Sequence, residues 1–396
     1  MKKHSLLTWI LVLMVTLSVF TTDLYLSSLP SLTEHFQTTP LMIQLTLVVY
    51  FLGFSLSILF SAWMVDRFGC RQVICFSLAT YALASIFCFW SPNIEVLLLG
   101  RLFQSFGGSS GSILSRIVVR ECYDKTERVK ILAFLFLGMA IAVLTAPKIG
   151  NLIFTQMGWR ANFLYMIIFS SLLLLGCFCA LPHITPSRTP FKTLLTNYLS
   201  VVSHKMYLRY TFIIAFLWTG FLTFLGKAPF LFMVTMGTSA SEFSSWFSLI
   251  IAGLIGGILL SKKMANNWST EKSIQLGVAI SLCAALLLGG SFFWVFTPVT
   301  IVVSMLLYLF GLGIILPPCQ AAATEIFPST HAGIAFGLMY FVKMLGGSAG
   351  VFFMSYMGHD TSLAFASLMI ICAFCSMSCA LFNPESEVSP SVSTLH

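Results

Sequence analysis

Five charged residues stand inside stretches that are otherwise apolar: Asp23, Arg101, Lys148, Lys227 and Lys343. A charge near the middle of a bilayer costs several kcal/mol, so each is a candidate for function. The chemistry they offer is proton transfer and ion recognition. An isolated Asp in a low-dielectric site prefers its protonated form, and a guanidinium brought beside it restores the charged one. Asp23 and Arg101 each fall about seven residues from the outer ends of their segments, which at about 1.5 Å per residue puts them at one depth. They are expected to form a coupled pair that loads and releases a proton; a permanent ion pair tying two helices together is the other reading. Lys148 and Lys227 fall in the same outer third. Lys343 lies nearer the middle, where reaching water by snorkelling is difficult. With Tyr25 they are expected to line a substrate cavity. Four bases against one acid leave a positive cavity that an anionic passenger would neutralise, a carboxylate siderophore or an anionic metabolite among the candidates. The alternative is that some of these lysines are neutral or face the bilayer edge.

The elements that must position these residues follow from composition. Of 396 residues, 58% are apolar and 9% charged, the latter roughly a third of the usual globular share. Each span needs about 20 apolar residues to satisfy its own backbone in lipid. Such runs occur at 6–29, 41–64, 72–90, 94–118, 131–154, 161–181, 208–233, 241–261, 274–294, 299–320, 333–356 and 362–382. The expected fold is an all-α polytopic membrane protein with twelve spans. The first run follows Lys2, Lys3 and His4 like a secretory signal, but it is too long and lacks a small-residue cleavage pattern, so it reads as a span. With the amino terminus in the cytoplasm, 16 of the 21 Lys and Arg fall in cytoplasmic loops, Arg160 falls outside and four lie within spans. Both termini are therefore expected on the cytoplasmic side of a bacterial inner membrane. The polar, Pro-containing stretch 182–206 divides the chain into two six-span halves, 1–181 and 207–383, facing each other across a central cavity. The Ser- and Pro-rich tail 384–396 reads as disordered.

Between the second and third runs lies Asp66-Arg67-Phe68-Gly69-Cys70-Arg71. Its acid sits on the base-rich side, placed to pair with neighbouring arginines as a breakable latch. The loop resembles the signature of the major facilitator superfamily. Further segments continue the resemblance in order: Asp23-Leu24-Tyr25-Leu26, Arg101-Leu102-Phe103-Gln104, Ala146-Pro147-Lys148-Ile149-Gly150, Ala228-Pro229-Phe230 and Gly311-Leu312-Gly313. Together they look like the bicyclomycin-resistance (Bcr/CflA) branch of drug:proton antiporters. That resemblance implies two six-helix bundles, alternating access, export driven by the proton gradient and no cofactor. Asp66, Arg67, Gly69 and Arg71 would form the latch, with Pro147 and Gly150 in a gating helix. The chain departs from the pattern at Ala62, Cys70 and Asn151, and Lys148 and Lys227 stand where a drug exporter would carry neutral residues.

Other classes fare worse. No HExxH, GxSxG or nucleotide-binding loop is present, and the seven His lie outside or at the rims of the runs, so neither a catalytic set nor a metal site is expected. The eleven Cys read as small buried apolar residues. The net charge of +8 is spread over loops with no basic stripe, which argues against nucleic-acid binding. Two dissimilar halves give no ring of identical charges for a channel. The expected partners are protons, a small-molecule substrate and the lipid bilayer, with the chain acting as a monomer. A multidrug pump for neutral or cationic drugs, a symporter and a membrane sensor remain as alternatives.

Overall fold

The computed structural model describes residues 2–182, 191–265, 267–294, 296–357 and 362–382. The tail 384–396 and the part of the linker with Pro186, Arg188 and Pro190 lie outside the described residues.

Helix α1 (Lys2–Asp23) ends on the acid, and after a 3-10 turn at Leu26–Ser28 the chain resumes as α2 (Leu29–His35). The run 6–29 is thus two helices broken just beyond Asp23. Then come α3 (Pro40–Phe68) and α4 (Cys70–Phe89), joined at Gly69, whose φ of 89° is easily reached only without a β-carbon. The run 94–118 is also divided, into α5 (Ile94–Gly108) and α6 (Ser110–Cys122). The small residues 107–112 let neighbours crowd in: Gly107 abuts Tyr81, and Gly111 abuts the Met14 carbonyl. Helices α7 (Lys125–Met157) and α8 (Trp159–Ala180) close the first bundle. The stretch expected as a plain linker carries α9 (Phe191–Val202), tied to α3 by Tyr198 Oη donating to the Leu59 carbonyl at 2.8 Å. The second bundle comprises α10 (Lys205–Pro229), extended by a π-helical turn at Phe230–Thr235, then α11 (Ala240–Met264), α12 (Thr270–Trp294), α13 (Pro298–Glu325), α14 (Ser329–Tyr356) and α15 (Ser362–Leu381).

Helix starts on the face away from the termini are written locally. Asn93 caps α5 by accepting from Val96 N at 3.0 Å, and Ser239 and Glu242 form a capping box on α11. At the opposite end of the second bundle, Arg209 binds both carboxylate oxygens of Glu271 (2.8 and 2.6 Å) and the carbonyls of Cys379 and Ala380, clamping α10, α12 and α15.

Eleven helical segments among the described residues are long and apolar enough to cross a membrane; the twelfth run is the broken α5–α6 pair. Large apolar side chains face outward, Phe76 at 64%, Leu172 at 62% and Phe293 at 79% exposure, while Arg101 and Gln104 are at 0%. In water this distribution would be inverted; in hydrocarbon it leaves the polar groups inside, where partners are available.

The bundles meet through α3 against α14, α7 against α11, and the 3-10 turn and α2 against the end of α10. Side-chain hydrogen bonds to main-chain carbonyls cross the seam: Ser348 to Val48 (3.0 Å), Ser248 to Leu144 (3.0 Å) and Gln44 to Gly226 (3.2 Å). Each keeps a hydroxyl or amide satisfied across the seam without fixing a charge there.

Candidate functional site

The first cluster forms around the break in the first run. Asp23 is 5% exposed and one carboxylate oxygen accepts from Thr22 Oγ1 at 2.9 Å. On α5, fully buried Arg101 donates from Nη1 to the Thr21 carbonyl (3.0 Å) and to Gln104 Oε1 (2.7 Å). Gln104 continues the chain to Ser85 Oγ at 2.8 Å on α4, and the Thr21 hydroxyl meets Tyr81 Oη at 2.7 Å. The guanidinium lies over the rings of Tyr25 (4.9 Å) and Tyr50 (4.6 Å). Such contacts are worth about 2 kcal/mol or more each once desolvated.

Arg101 and Asp23 therefore share a neighbourhood, and in this state the cation rests on the carbonyl two residues before the acid and not on the acid itself. The contact to the carbonyl has a local cause. Asp23 ends α1, so the Thr21 carbonyl lies in the last turn, where helical carbonyls lose their i+4 donors. Arg101 Nε and Nη2 and both amide atoms of Asn162 are buried without hydrogen-bond partners. Gln104 Nε2 reaches Met166 Sδ at 3.4 Å; one turn toward the N-terminal end on each helix stand Arg101 and Asn162. A guanidinium with two unused nitrogens has donors to offer a nearby acid.

Gly150 fixes how closely α7 approaches this break. A β-carbon there would collide with the Leu24 carbonyl oxygen. Pro147, one turn earlier, does not interrupt α7.

The second cluster is in the other bundle. Lys343 on α14 is 2% exposed, with Nζ 3.8 Å from the Trp218 ring centroid and 3.6 Å from that of Tyr340. Trp218 Nε1 is buried without a partner. Tyr340 packs at a tilt against Phe336, ring centroids 4.8 Å apart, and Arg116 of the first bundle lies over Phe336 at 4.6 Å. Arg116 thus reaches across the seam, a placement that its counting as a loop base hid. Lys227 is 3% exposed in the last turn of α10, beside the Gly226 carbonyl that binds Gln44.

Lys148 does not join this set: it lies on an exposed face of α7, so the expected cavity of Lys148, Lys227, Lys343 and Tyr25 separates. Tyr25 packs against Arg101, Lys227 sits at the seam and Lys343 sits in its aromatic box. In the expected latch, Asp66 is half-buried on the last turn of α3, Arg67 is exposed, and Arg71 Nη2 donates to the Phe178 carbonyl (2.7 Å). A cavity of about 560 Å³ lies elsewhere, between α12 and α13, lined by Leu286, Leu287, Ser291 and Val303 among others. Among the described residues no three His, Cys, Asp or Glu gather as metal ligands.

Sequence reasoning missed Arg116, Trp218, Tyr340, Tyr50 and Asn162. One signal was available: Tyr340 and Lys343 are three apart, which puts them on one helical face.

Comparison with known proteins agrees with this architecture. The Major Facilitator Superfamily model matches residues 11–351. An "Uncharacterized transporter" of Rickettsia bellii (strain RML369-C) is 29% identical over 394 residues, covering 92% of this chain and 93% of that one. "Multidrug resistance protein D" of Escherichia coli (strain K12) is 25% identical over 337 residues, covering 85% of each. The xylose transporter of E. coli, in a partially occluded inward-open conformation, superposes with a TM-score of 0.75 over 100% of both chains at 14% identity, a likeness of fold. A membrane-spanning helical chain with this match over most of its length is a transporter and no enzyme: it belongs to the Major Facilitator Superfamily.

Proposed function

We propose that this chain is a proton-coupled exporter of an anionic organic compound in the bacterial inner membrane, with both termini cytoplasmic and its two halves, 1–181 and 207–383, rocking about the seam. The observation that carries the reading is Asp23 at the break of the first run, with Arg101 and its two unused nitrogens one helix away. With Asp23 protonated, Arg101 stays on the Thr21 carbonyl and the rings. When the guanidinium turns its free edge to the carboxylate, the charged form wins and the proton leaves. Gly150 lets α7 ride against the same break, so movement of α7 alters the distance between the two groups. The buried Lys227 and Lys343 support an anionic cargo, a carboxylate siderophore or a metabolite. The bicyclomycin-resistance-like segments support antiport.

A second reading, efflux of neutral or cationic drugs, has in its favour the 25% identity to Multidrug resistance protein D.

Everted membrane vesicles with an acidified lumen test the proposal. Adding carboxylates and cationic dyes one at a time, with a pH-sensitive dye inside, should show proton release on addition of an anion, lost in Asp23→Asn. Cationic dyes alone releasing protons would select the drug-efflux reading. Protons moving inward with the compound would make it a symporter, and compound movement indifferent to the gradient would end the coupling proposal.

A further inference from the structure

Two cations from opposite bundles converge on one side chain. The Tyr340 hydroxyl interacts with both Lys343 and Arg116, while the rings beneath them, Phe336, Tyr340 and Trp218, lie 4.6, 3.6 and 3.8 Å from the charged groups. Arginine, lysine and the indole N–H are donors only; the tyrosine oxygen is the single side-chain acceptor among these groups. The Trp218 N–H has no partner, and Lys343 is buried at 2% exposure. A site so rich in donors and so poor in acceptors is complementary to a carboxylate, whose two oxygens can accept from a guanidinium fork and an ammonium together. Three aromatic faces in the same place add stacking area.

We propose that Arg116 and Lys343 form one anion site across the seam, over a floor of Phe336, Tyr340 and Trp218, and that it takes a planar aromatic carboxylate. The ligand's carboxylate replaces the Tyr340 hydroxyl as the acceptor shared by the two cations, and its ring stacks on the exchanged aromatic face. Because Arg116 belongs to one bundle and Lys343 to the other, the bound anion bridges them and draws the bundles together on that side. Lys148, outside the buried set, takes no part. This names the cargo class of the transport reading above and rests on it for direction, not for the binding chemistry.

The test uses the full chain in nanodiscs, with no gradient, and measures binding of 1-naphthoate against its methyl ester, cyclohexanecarboxylate and tetraphenylphosphonium. Naphthoate should bind tightest. Lys343→Gln and Arg116→Gln should each weaken it about ten-fold or more and erase the preference over the ester. Lys343→Arg should retain most of it, showing that the charge and not the fold was lost, and Lys130→Gln, at an exposed position near the start of α7, should leave it unchanged. Equal binding of acid and ester, or naphthoate affinity untouched by both Gln variants, overturns the site. Tetraphenylphosphonium binding in preference, with Asp23-dependent proton movement in vesicles, overturns the site and leaves the coupling proposal standing. Naphthoate binding as described, with no proton movement for any compound, does the reverse.

Discussion

The two bundles bury charge in opposite ways. Before the linker, the base Arg101 sits in a hydrogen-bonded network that runs through Thr21, Gln104, Ser85 and Tyr81, and the acid Asp23 lies beside that network, bonded to Thr22. After it, Lys343 is held by two aromatic faces. A network of exchangeable hydrogen bonds suits a proton, because the same groups can satisfy two protonation states. An aromatic box holds a cation without a counter-ion and yields it when a real anion arrives, since each π contact is weaker than a desolvated ion pair. Under the function proposed above, the contrast divides the labour: coupling in the first bundle, recognition at the seam with the second.

Asp23→Asn tests the division most severely. It should lower gradient-driven transport by about two orders of magnitude, as read in vesicles, while leaving exchange of labelled for unlabelled compound in the absence of a gradient. Loss of exchange as well would mean that the first bundle also recognises cargo.

Gly150→Ala should come next. The added methyl meets the Leu24 backbone, and overpacking of this kind costs about 1–3 kcal/mol. Thermal unfolding followed by fluorescence should show the loss, together with slowed transport. An unchanged melting point and rate would show that α7 is not held against the break.

In the second bundle, Trp218→Phe keeps a ring under Lys343 and removes the unpartnered N–H, so the affinity for an aromatic acid should fall only a few-fold, about 0.5–1 kcal/mol. An effect as large as that of Asp23→Asn would invert the comparison. Smallest of all, Tyr198→Phe removes one hydrogen bond from α9 to α3, worth about 0.5–1.5 kcal/mol of stability, and should leave the proton response intact. Altered coupling there would mean that the helix between the bundles takes part in their movement.

Much was legible from the chain alone. Twelve apolar runs, their order and the family segments follow from residue type and length, because lipid allows few ways to satisfy a buried backbone. Asp23, Arg101 and Lys343 were visible as candidates, since a charge in such a run is conspicuous wherever it ends up facing. Helix α9 was hidden because a short polar stretch with Pro on its flank looks like a loop, although Phe191, Leu194, Tyr198 and Val201 recur at helical spacing.

Residue type and run length put this chain in a bilayer with charges there that must be accounted for. Which of those charges meet follows from the packing of the helices. Lys148 and Lys343 are equally costly on paper, yet one turns outward and the other enters a box built from α10 and α14. Arg116 looked like a topological marker, and packing of α6 against the seam brought it to Tyr340. The reason is geometric: the face a helical residue presents is set by the roll of its helix against neighbours that are distant in sequence. Breaks such as those after Asp23 and at Ser109 reset that roll in mid-span.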